Sequence, residues 1–334
     1  MNIIIPMAGM GKRLRPHTLT TAKPLIKVCG QEIVKILCKE IVKTCGVKVD
    51  NIGFVVGDFG DQVEKELIEV ARSLGAEGKI YHQHVALGTA DAIWQAREIL
   101  TGNTVVAFAD TLFDASFTMD LTKEGIIWTS HVENPSAFGV VKKDGQSGKI
   151  TAFVEKPKEF VSNEAIIGIY YFREGERLYK EIQRLMDENI MHGGEYQLTD
   201  CLENMLQHGF AFTTETVKEW LDCGNKDAVV NTNQRLLCLN MGLNTVDSSL
   251  ENNHSVVIEP CYIGKNVRLE NSVIGPYVSL EDNVVVKNSV VRNTIAAHDT
   301  VIENAVLENS MLGNNAIYSK HTEELSLGAF TTVR

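Results

Sequence analysis

The stretch MAGMGKRLRPHTLTTAKPL, residues 7–25, gathers positive charge on one glycine-bearing segment near the start of the chain. Directly after the apolar run of residues 3–5, it combines glycines and cations, namely Gly9, Gly11, Lys12, Arg13, Arg15 and Lys23. Glycine lets the backbone turn tightly, and backbone N–H groups in such a turn can bind an anion. Arginine grips a phosphate through two hydrogen bonds, whereas lysine acts as a point charge. The segment therefore predicts a polyphosphate site; the alternative is a solvated basic turn.

Neither of two standard phosphate-binding motifs accounts for this loop. The dinucleotide-binding pattern GxGxxG needs a third glycine where this chain has Leu14. The P-loop pattern needs a lysine followed by Ser or Thr, whereas Lys12 is followed by Arg13. The prediction of a phosphate site therefore depends on the charges and the glycines and not on a motif match.

A carboxylate stands at the end of a second apolar run. Asp110 closes the run TVVAFAD, which is predicted as a buried strand. A carboxylate at the carboxyl end of a strand is a natural ligand for a hard cation. The alternative is a capping role, because Asp favours the ends of helices and turns.

These residues must be positioned by alternating strands and helices that run from residue 1 to about 224. Apolar runs predict strands at residues 3–5, 52–56, 104–109, 125–131, 139–141 and 166–172. Amphipathic spacing predicts helices at residues 33–44, 62–73, 89–100, 176–188, 198–207 and 226–241. The alternation predicts an α/β domain, residues 1–241, with a mainly parallel sheet covered on both faces. Such sheets bind ligands at the carboxyl ends of their strands.

The tail of the chain, residues 252–330, repeats itself. Four successive blocks begin at His254, Asn271, Asn288 and Asn304 and have lengths of 17, 17, 16 and 17 residues. Aliphatic side chains recur at the third, fourth, eighth and fourteenth positions, with Asn and Gly between them. A short fixed period rich in β-branched residues predicts a β-helix with one coil per block and aliphatic columns stacked inside. The alternative is a β-sandwich with chance periodicity.

The bulk composition limits the kind of protein. The 334 residues are 44% hydrophobic and 22% charged, which is typical of a soluble globular chain of one or two domains. A net charge of −11 argues against a nucleic-acid binder. No apolar run approaches the ~20 residues of a membrane span, and the start lacks the basic region of a signal peptide. We expect a cytoplasmic protein whose seven cysteines, which form no CxxC pair, are free thiols.

Nine short segments occur in an order that resembles one enzyme family. They are GMGKRLRP, AKPL, QHVALGTADAI, AFADTLF, SAFGVV, FVEKP, IIGIYYF, GEYQLTD and EWLDCGN. Together they resemble the sugar-1-phosphate nucleotidylyltransferases over residues 1 to about 230, and look most like the members that use glucose 1-phosphate with dTTP or UTP. The tail is similar to the left-handed β-helix of hexapeptide-type repeats in longer members. The resemblance implies a Rossmann-like nucleotidyltransferase domain that converts a nucleoside triphosphate and a sugar 1-phosphate to an NDP-sugar and pyrophosphate.

The resemblance also implies roles around the reacting phosphates. In this family a sugar-phosphate oxygen attacks the α-phosphorus, and that phosphate, with a second pKa of about 6, is already largely ionised at neutral pH. No protein base is needed; two repelling anions must be held in line and their charge neutralised. The implied residues are Ala8, Gly9 and Gly11 at the triphosphate, Arg13 at the leaving pyrophosphate, Lys23 near the α-phosphate, and Asp110 and Asp222 as ligands of Mg²⁺. The chain departs from the family at Ala109, where glycine is usual.

Further segments imply sites for the sugar and the base. The resemblance assigns the sugar hydroxyls to Glu155 and the sugar phosphate to Lys156, with Gly139 and Gly168 letting the backbone approach the sugar. It assigns the base to Gln83 with the backbone near Gly88. A Gln amide offers a donor and an acceptor, which suit the N3–H and O4 of uracil or thymine. Because guanine-using members more often have an acidic residue there, we expect UTP or dTTP, with glucose 1-phosphate.

Three alternatives stay open at this stage. One is a mannose-1-phosphate guanylyltransferase, and another is a regulatory or scaffold relative that binds an NDP-sugar without turnover. A third adds acyltransfer in the β-helix, although four coils are few for that chemistry and His254, His298 and His321 are better explained as turn residues. We expect the tail to serve assembly or regulation, since exposed coil ends invite homo-oligomers.

Overall fold

The computed structural model describes residues 1–9, 11–115, 117–145, 148–239, 242–321 and 324–332. By internal contacts the chain forms two compact units. One contains Met1–Ile26 and Gln31–Asn225, and the other contains Lys27–Gly30 and Lys226–Arg334. Residue 241, at which the sequence analysis ends the first domain and a helix, lies outside the described residues.

Strands and helices alternate along the first part of the chain. The strands are β1 (Asn2–Pro6), β2 (Lys27–Val28), β3 (Gln31–Glu32), β4 (Asn51–Val56), β5 (Glu77–His82), β6 (Thr104–Ala107), β7 (Thr111–Asp114), β8 (Gly125–His131), β9 (Gly139–Lys143), β10 (Ile150–Glu155), β11 (Glu164–Phe172), β12 (Phe212–Thr216) and β13 (Glu219–Asp222). The helices are α1 (Ile33–Cys45), α2 (Asp61–Ser73), α3 (Thr89–Gln95), α4 (Gly175–Asp187), α5 (Leu198–Gln207) and α6 (Lys226–Cys238). The helix predicted at residues 89–100 ends earlier, because a 3₁₀ turn at Arg97–Ile99 follows α3.

The central sheet of the first unit has the strand order β10-β9-β11-β6-β1-β4-β5, and β8 pairs with β11 and β12. β1, β4, β5 and β6 are parallel to one another, whereas β11 runs antiparallel to β6, β8 and β9. Ile3, Ile4 and Ile5 of β1 are fully buried, as a strand covered on both faces requires. The predicted α/β, Rossmann-like class is confirmed, with a mixed sheet.

The strand order reverses at β1. From β1 the chain proceeds to β4 and β5 on one side and then returns to β6 on the other. A crevice forms at such a switch point, outside the carboxyl ends of the strands. The ends of β1 and β6 lead into the cationic loop and into Asp110, so the fold places both candidate features at one edge of the sheet.

The second unit contains α6 and three parallel sheets of very short strands. The strands are β14 (Glu251–Asn253), β15 (Val256–Val257), β16 (Cys261–Ile263), β17 (Arg268–Glu270), β18 (Val273–Ile274), β19 (Val278–Leu280), β20 (Val285–Lys287), β21 (Val290–Arg292), β22 (Ile295–Ala296), β23 (Val301–Glu303), β24 (Val306–Glu308), β25 (Met311–Leu312) and β26 (Ile317–Ser319). They stack as β14-β17-β20-β23-β26, β15-β18-β21-β24 and β16-β19-β22-β25. This is the predicted left-handed parallel β-helix, one strand per sheet in each coil.

Asparagine residues lie at the turns between these sheets. Asn271, Asn288 and Asn304 all have positive φ, the left-handed conformation that Asn tolerates better than most residues. Their side chains also form a ladder, in which the Nδ2 of Asn271 donates to Asn288 and that of Asn288 to Asn304, both at 3.3 Å. The recurrent Asn positions therefore support the turns and link successive coils.

The aliphatic columns are not all inside the β-helix. The fourth-position column, Val257, Ile274, Val291 and Leu307, joins the interior cluster. Third-position valines alternate with it and point outward, so Val256 is 56% and Val306 77% exposed. The residues at the fourteenth position change from the inner face of the strands to the outer face along the repeat. The third block is one residue shorter, so its fourteenth residue, Val301, pairs with Val285 and not with Val284. Val284 is fully buried, but Ile317 is 76% exposed. The prediction that all four columns lie inside was therefore wrong.

Two further features of the described residues bear on the sequence analysis. The seven cysteines are free, and six of them are buried. Within the parts of the chain that the structure describes, no helix combines the length and the apolar run that crossing a bilayer requires.

The inward and outward columns predict losses of stability of different size for the same substitution. Val291→Ala removes two methyl groups from a fully buried side chain and should lower the free energy of unfolding by about 2–3 kcal/mol. Val306→Ala makes the same change at a side chain that is 77% exposed and should cost less than about 0.5 kcal/mol. Urea unfolding measures both, and equal losses would contradict the assignment of the two columns.

Candidate active site

A cavity of about 390 Å³ opens at the switch point between β1 and β6. Its walls come from the residues that follow β1, from the end of β6, and from loops next to α3 and β13. The lining residues are Pro6, Met7, Ala8, Gly9, Gly11, Lys12, Arg13, Lys23, Pro24, Gln83, Ala86, Gly88, Thr89, Ala92, Phe108, Ala109, Asp110, Glu195 and Gly224. The nucleotide-binding residues expected from the sequence all lie in this wall.

The cationic loop is anchored by a buried leucine and one glycine conformation. Leu14 is fully buried within a 3₁₀ turn at Lys12–Leu14, while Arg13 beside it is exposed. Gly11 has a φ of 57°, and the hydroxyl of Thr18 donates to its carbonyl at 2.9 Å. A β-carbon at Gly11 would lie 3.0 Å from side-chain atoms of Thr18 and Lys23. At Gly9, by contrast, it would meet no described atom within 4 Å.

A strand pair brings two distant aspartates together. β7 and β13 are antiparallel, and their register sets Asp222 opposite Thr111, the residue after Asp110. The backbone N–H of Cys223 donates to the carbonyl of Asp110 at 2.9 Å. Residues 112 positions apart in the sequence are therefore neighbours in space, since the register fixes both at the same end of the pair.

Two cations accompany these carboxylates. The Lys23 ammonium lies 2.9 Å from Asp110 Oδ2, and its side chain is only 11% exposed. A β-carbon built on Gly224 would lie 3.1 Å from both carboxylate oxygens of Asp222 and 3.3 Å from an Arg13 nitrogen. Glycine at 224 therefore lets the Arg13 guanidinium and the Asp222 carboxylate share one small space.

The two carboxylates repel each other in spite of these cations. Burial is the main cause that raises the pKa of Asp222, and the negative charge of Asp110 raises it further. The N–H of Gly224, which donates to Asp222 Oδ1 at 3.0 Å, and the charges of Lys23 and Arg13 lower that pKa by less. A divalent cation held by both carboxylates would offset this repulsion and the cost of burying the charge of Asp222.

The two aspartates fit an Mg²⁺ ion that takes only some of its ligands from the protein. Among the described residues no group of three or more His, Cys, Asp or Glu side chains could hold a metal ion. Mg²⁺ is commonly held by one or two carboxylates, with waters and substrate phosphates as its remaining ligands. Asp110 and Asp222, beside a loop suited to phosphate, provide that arrangement.

The base-side residues form a second wall of the cavity. The Gln83 side-chain nitrogen donates to the carbonyl of Gly88 at 3.1 Å and to Asp91 Oδ2 at 2.7 Å. Gly88 has a φ of 113°, and a β-carbon there would lie 2.4 Å from the carbonyl oxygen of Tyr196. Only glycine fits at 88, so the loop before α3 is closely held against residue 196.

The residues expected at the sugar lie outside the cavity wall but adjoin it. Gly168 has a φ of 82° and marks a register shift in β11, and its carbonyl accepts from the N–H of Phe108 at 3.0 Å. A β-carbon at Gly139 would lie 3.0 Å from Glu155 Oε2. Glu155 is 3.3 Å from Lys156, and both are exposed. The structure therefore groups Gly139, Glu155 and Lys156, while Gly168 lies beside the wall residue Phe108.

Aromatic contacts connect this sugar-side group to the carboxylates. The N–H of Lys156 donates to the carbonyl of Phe138 at 3.1 Å. The ring of Phe138 packs edge-on against Trp220 at 4.8 Å, and Trp220 Nε1 donates to Thr111 at 3.2 Å. Trp220 in β13 thus joins the two parts of the site.

Sequence reasoning missed several wall residues. Phe108, Asp91 and Glu195 lie in or next to the cavity, although no role was assigned to them. Phe108 has a usable signal, since it precedes Asp110 by two residues at the end of the same predicted strand. The signal for Asp91 and Glu195 is weaker, because it consists only of their positions inside the quoted segments QHVALGTADAI and GEYQLTD.

The chain is similar to known proteins over most of its length. A family model described as nucleotidyl transferase matches residues 2–238. The chain is 33% identical over 233 residues to the mannose-1-phosphate guanylyltransferase catalytic subunit beta of Xenopus tropicalis, covering 67% of this chain and 61% of that protein. It is 25% identical over 316 residues to a glucose-1-phosphate thymidylyltransferase of Streptomyces antibioticus, covering 86% of this chain and 85% of that protein. The chain thus spans only 61% of the length of the guanylyltransferase relative.

A solved structure shows the same fold. A Bacillus anthracis crystal structure in complex with sucrose, whose assignment as a glucose-1-phosphate thymidylyltransferase is provisional, superposes with a TM-score of 0.59. The match has 22% identity and covers 72% of this chain and 96% of that one.

The two loop glycines predict different effects of an added methyl group. Gly9→Ala should leave the free energy of unfolding nearly unchanged but weaken nucleoside triphosphate binding at least about tenfold, because the methyl group would occupy space that the protein leaves open. Gly145→Ala, also in open space but outside the cavity, is the matched control and should alter neither quantity. Calorimetric titration and urea unfolding measure them, and unchanged binding by Gly9→Ala would contradict a phosphate-binding role for this backbone.

The raised pKa of Asp222 predicts how stability depends on pH in the absence of divalent ions. A carboxyl whose folded pKa lies above its unfolded value binds more protons in the folded state, so stability falls as pH rises from the unfolded pKa of 3.8 through the folded pKa. Asp222→Asn removes this loss and can keep the acceptor for Gly224. We expect it to be more stable than wild type at pH 7 and no more stable below pH 3.8, as measured by urea unfolding. Lower stability of Asp222→Asn than of wild type at pH 7 would contradict the raised pKa of Asp222.

Proposed function

The chain belongs to the nucleotidyl transferase family, and we propose that it joins a sugar 1-phosphate to a nucleoside triphosphate, forming an NDP-sugar and pyrophosphate. One observation carries the proposal: strands β7 and β13 bring Asp110 and Asp222 together beside Lys23 and Arg13, at a cavity with a glycine-bearing loop. A site of this kind suits two polyanionic substrates, since each cation and each backbone N–H offsets charge that would drive them apart.

The reaction is an in-line displacement at the α-phosphorus. The sugar phosphate is largely dianionic at neutral pH, so its oxygen attacks without a protein base. The bond between the α-phosphorus and the oxygen that bridges to the β-phosphate breaks, and the leaving pyrophosphate takes the electron pair. Gly9 and Gly11 let the backbone approach the triphosphate, Arg13 holds the departing pyrophosphate, and Lys23 lies near the α-phosphate.

Asp110 and Asp222 would hold Mg²⁺, which supplies charge neutralisation at the triphosphate when it is bound. The raised pKa of Asp222, caused mainly by burial and then by the negative charge of Asp110, supports this assignment, because a bound cation would stabilise the charged form. Lys23 keeps Asp110 oriented through their 2.9 Å contact. The pair thus prepares the position of the ion before any substrate arrives.

The substrates proposed first are UTP or dTTP with glucose 1-phosphate. Gln83 in the cavity wall and the thymidylyltransferase relative support this choice. GTP with mannose 1-phosphate is the second candidate, because the guanylyltransferase relative is 33% identical. We propose that Glu155 contacts the sugar hydroxyls, that Lys156 contacts the sugar phosphate, and that Gly139 and Gly168 let the backbone approach the sugar. The bond between Gly168 and the wall residue Phe108 supports this, as do the contacts that lead from Lys156 through Phe138 and Trp220 to Thr111.

The second unit is proposed to serve assembly of homo-oligomers in the cytoplasm. Among the described residues, the outermost strands β24, β25 and β26 each pair on one side only. Unpaired strand edges can be covered by another copy of the chain.

A matrix of substrates tests the activity. Five nucleoside triphosphates are each paired with the 1-phosphates of glucose, mannose, galactose and N-acetylglucosamine, and pyrophosphate release is followed with Mg²⁺. We expect turnover with UTP, dTTP or GTP, and a fall in kcat/KM of at least about a hundredfold in Asp110→Asn and Asp222→Asn.

Asp114→Asn is the matched control, because Asp114 lies on the same strand as Thr111 but pairs with Lys218 outside the cavity. It should keep kcat/KM within about threefold of wild type. If no pair of substrates releases pyrophosphate above the blank, the proposed activity is wrong and a non-catalytic NDP-sugar-binding protein becomes the better account.

A further inference from the structure

The orientation of the Gln83 amide is fixed by two acceptors. Its nitrogen has two hydrogens, and they point to the carbonyl of Gly88 at 3.1 Å and to Asp91 Oδ2 at 2.7 Å. A carbonyl and an ionised carboxylate accept hydrogen bonds and do not donate them. If the amide were turned over, its oxygen would face both acceptors, so this orientation is strongly preferred.

Asp91 is itself firmly held. It lies in the first turn of α3 and is only 6% exposed. Gln95, one turn further along, donates to Asp91 Oδ1 at 3.0 Å, so each carboxylate oxygen receives one side-chain amide. Burial and these two donors leave the carboxylate little freedom to rotate away from Gln83.

The other acceptor of the Gln83 amide, the carbonyl of Gly88, is also held in place. The N–H of Tyr196 donates to the carbonyl of Leu87 at 2.7 Å, and the N–H of Ala90 donates to the carbonyl of Tyr196 at 3.0 Å. The hydroxyl of Thr89 accepts from the N–H of Leu198 at 2.9 Å. These bonds on both sides of Gly88 fix the carbonyl that Gln83 contacts.

The consequence is that Gln83 offers only an acceptor to the cavity. Gln83 lines the cavity, and its Oε1 is the polar atom that remains after both hydrogens are used. In the part of the chain that the structure describes, no donor contacts Oε1. A nucleobase beside Gln83 must therefore supply the hydrogen.

We propose that Asp91 is a positioning residue that makes Gln83 an acceptor only, so that the site selects bases with a ring N–H next to a carbonyl. Uracil and thymine at N3 and guanine at N1 have that N–H. Cytosine at N3 and adenine at N1 have a lone pair there, which would face the lone pairs of Oε1. Their exocyclic amino hydrogens lie at the neighbouring position of the base edge, so they reach Oε1 only if the base shifts from the placement that a ring N–H takes. This inference rests on the proposed function, which brings the base to Gln83, and Asp91 itself does not touch the base.

Equilibrium binding tests the selection. Titration of the wild-type chain with UTP, dTTP, GTP, CTP and ATP should show at least one of the first three bound about tenfold or more tightly than both CTP and ATP, the ratio expected for one unmatched hydrogen bond. Binding of CTP or ATP as tight as that of the best of the others would overturn the proposal.

A double-mutant cycle tests Asp91. Gln83→Glu places a second carboxylate against Asp91 and should weaken binding of the preferred nucleotide at least about tenfold. Adding Asp91→Asn gives the introduced carboxylate an amide donor, although the carbonyl of Gly88 still faces it, so affinity should recover at least about threefold relative to Gln83→Glu, with the same order of bases. If the double mutant binds as weakly as Gln83→Glu, or more weakly, Asp91 does not act through Gln83.

Gln95→Leu tests the packing of α3. It removes the second amide donor to Asp91 but leaves both bonds of Gln83, so the affinity for the preferred nucleotide should fall less than in Gln83→Glu. A fall as large as that of Gln83→Glu would overturn the proposal, because the loss would then follow from the packing of α3 and not from the direction of the Gln83 amide.

Binding and turnover separate this inference from the proposed function. Selective binding of UTP, dTTP or GTP without pyrophosphate release in the substrate matrix would contradict the activity but support the role of Asp91. Pyrophosphate release from CTP or ATP as efficient as from the other nucleotides would support the activity and overturn the selection.

Discussion

The structure of the first unit depends on two like charges held side by side. The run TVVAFAD, which contains β6, ends at Asp110. Strand β13, which pairs with β7, ends at Asp222. Burial raises the pKa of Asp222, and repulsion from the Asp110 carboxylate raises it further. A fold tolerates such repulsion where a cation completes the site, and here Lys23 and Arg13 supply only part of the compensation.

The surrounding elements can be understood from what that pair needs. The sheet places β1 and β6 next to each other, so the cationic loop and Asp110 emerge at one edge. Leu14 anchors the loop, and Gly224 keeps space for Arg13 beside Asp222. In another part of the cavity wall, Asp91 and Gly88 set the direction of the Gln83 amide.

Much of the first unit follows from local pattern. Buried runs such as residues 3–5 and 104–109 predict their strands because strands covered on both faces must be apolar throughout. β13 is different: EWLD is short and mixed in polarity, so no periodicity marks it. Yet β13 is the element that sets Asp222 beside Asp110. Their proximity could be expected only from the resemblance, because long-range strand pairing leaves no local signal.

The β-helix illustrates the same limit. The repeat predicts the architecture, but the side that each column faces depends on where the short third block loses its residue. Val284 and Val301 occupy the same position in their blocks, yet only Val284 is fully buried. In a strand, a shift by one residue moves a side chain to the other face, so an ungapped alignment cannot assign it.

Metal binding tests the central claim, that the two aspartates share one divalent ion, most directly. Mn²⁺ stands in for Mg²⁺, and electron paramagnetic resonance follows its binding to the chain in the presence of a nucleoside triphosphate. The account predicts that Asp110→Asn and Asp222→Asn each weaken Mn²⁺ binding at least about tenfold, while Asp114→Asn matches wild type. Equal Mn²⁺ affinity in wild type and in both site variants would contradict it.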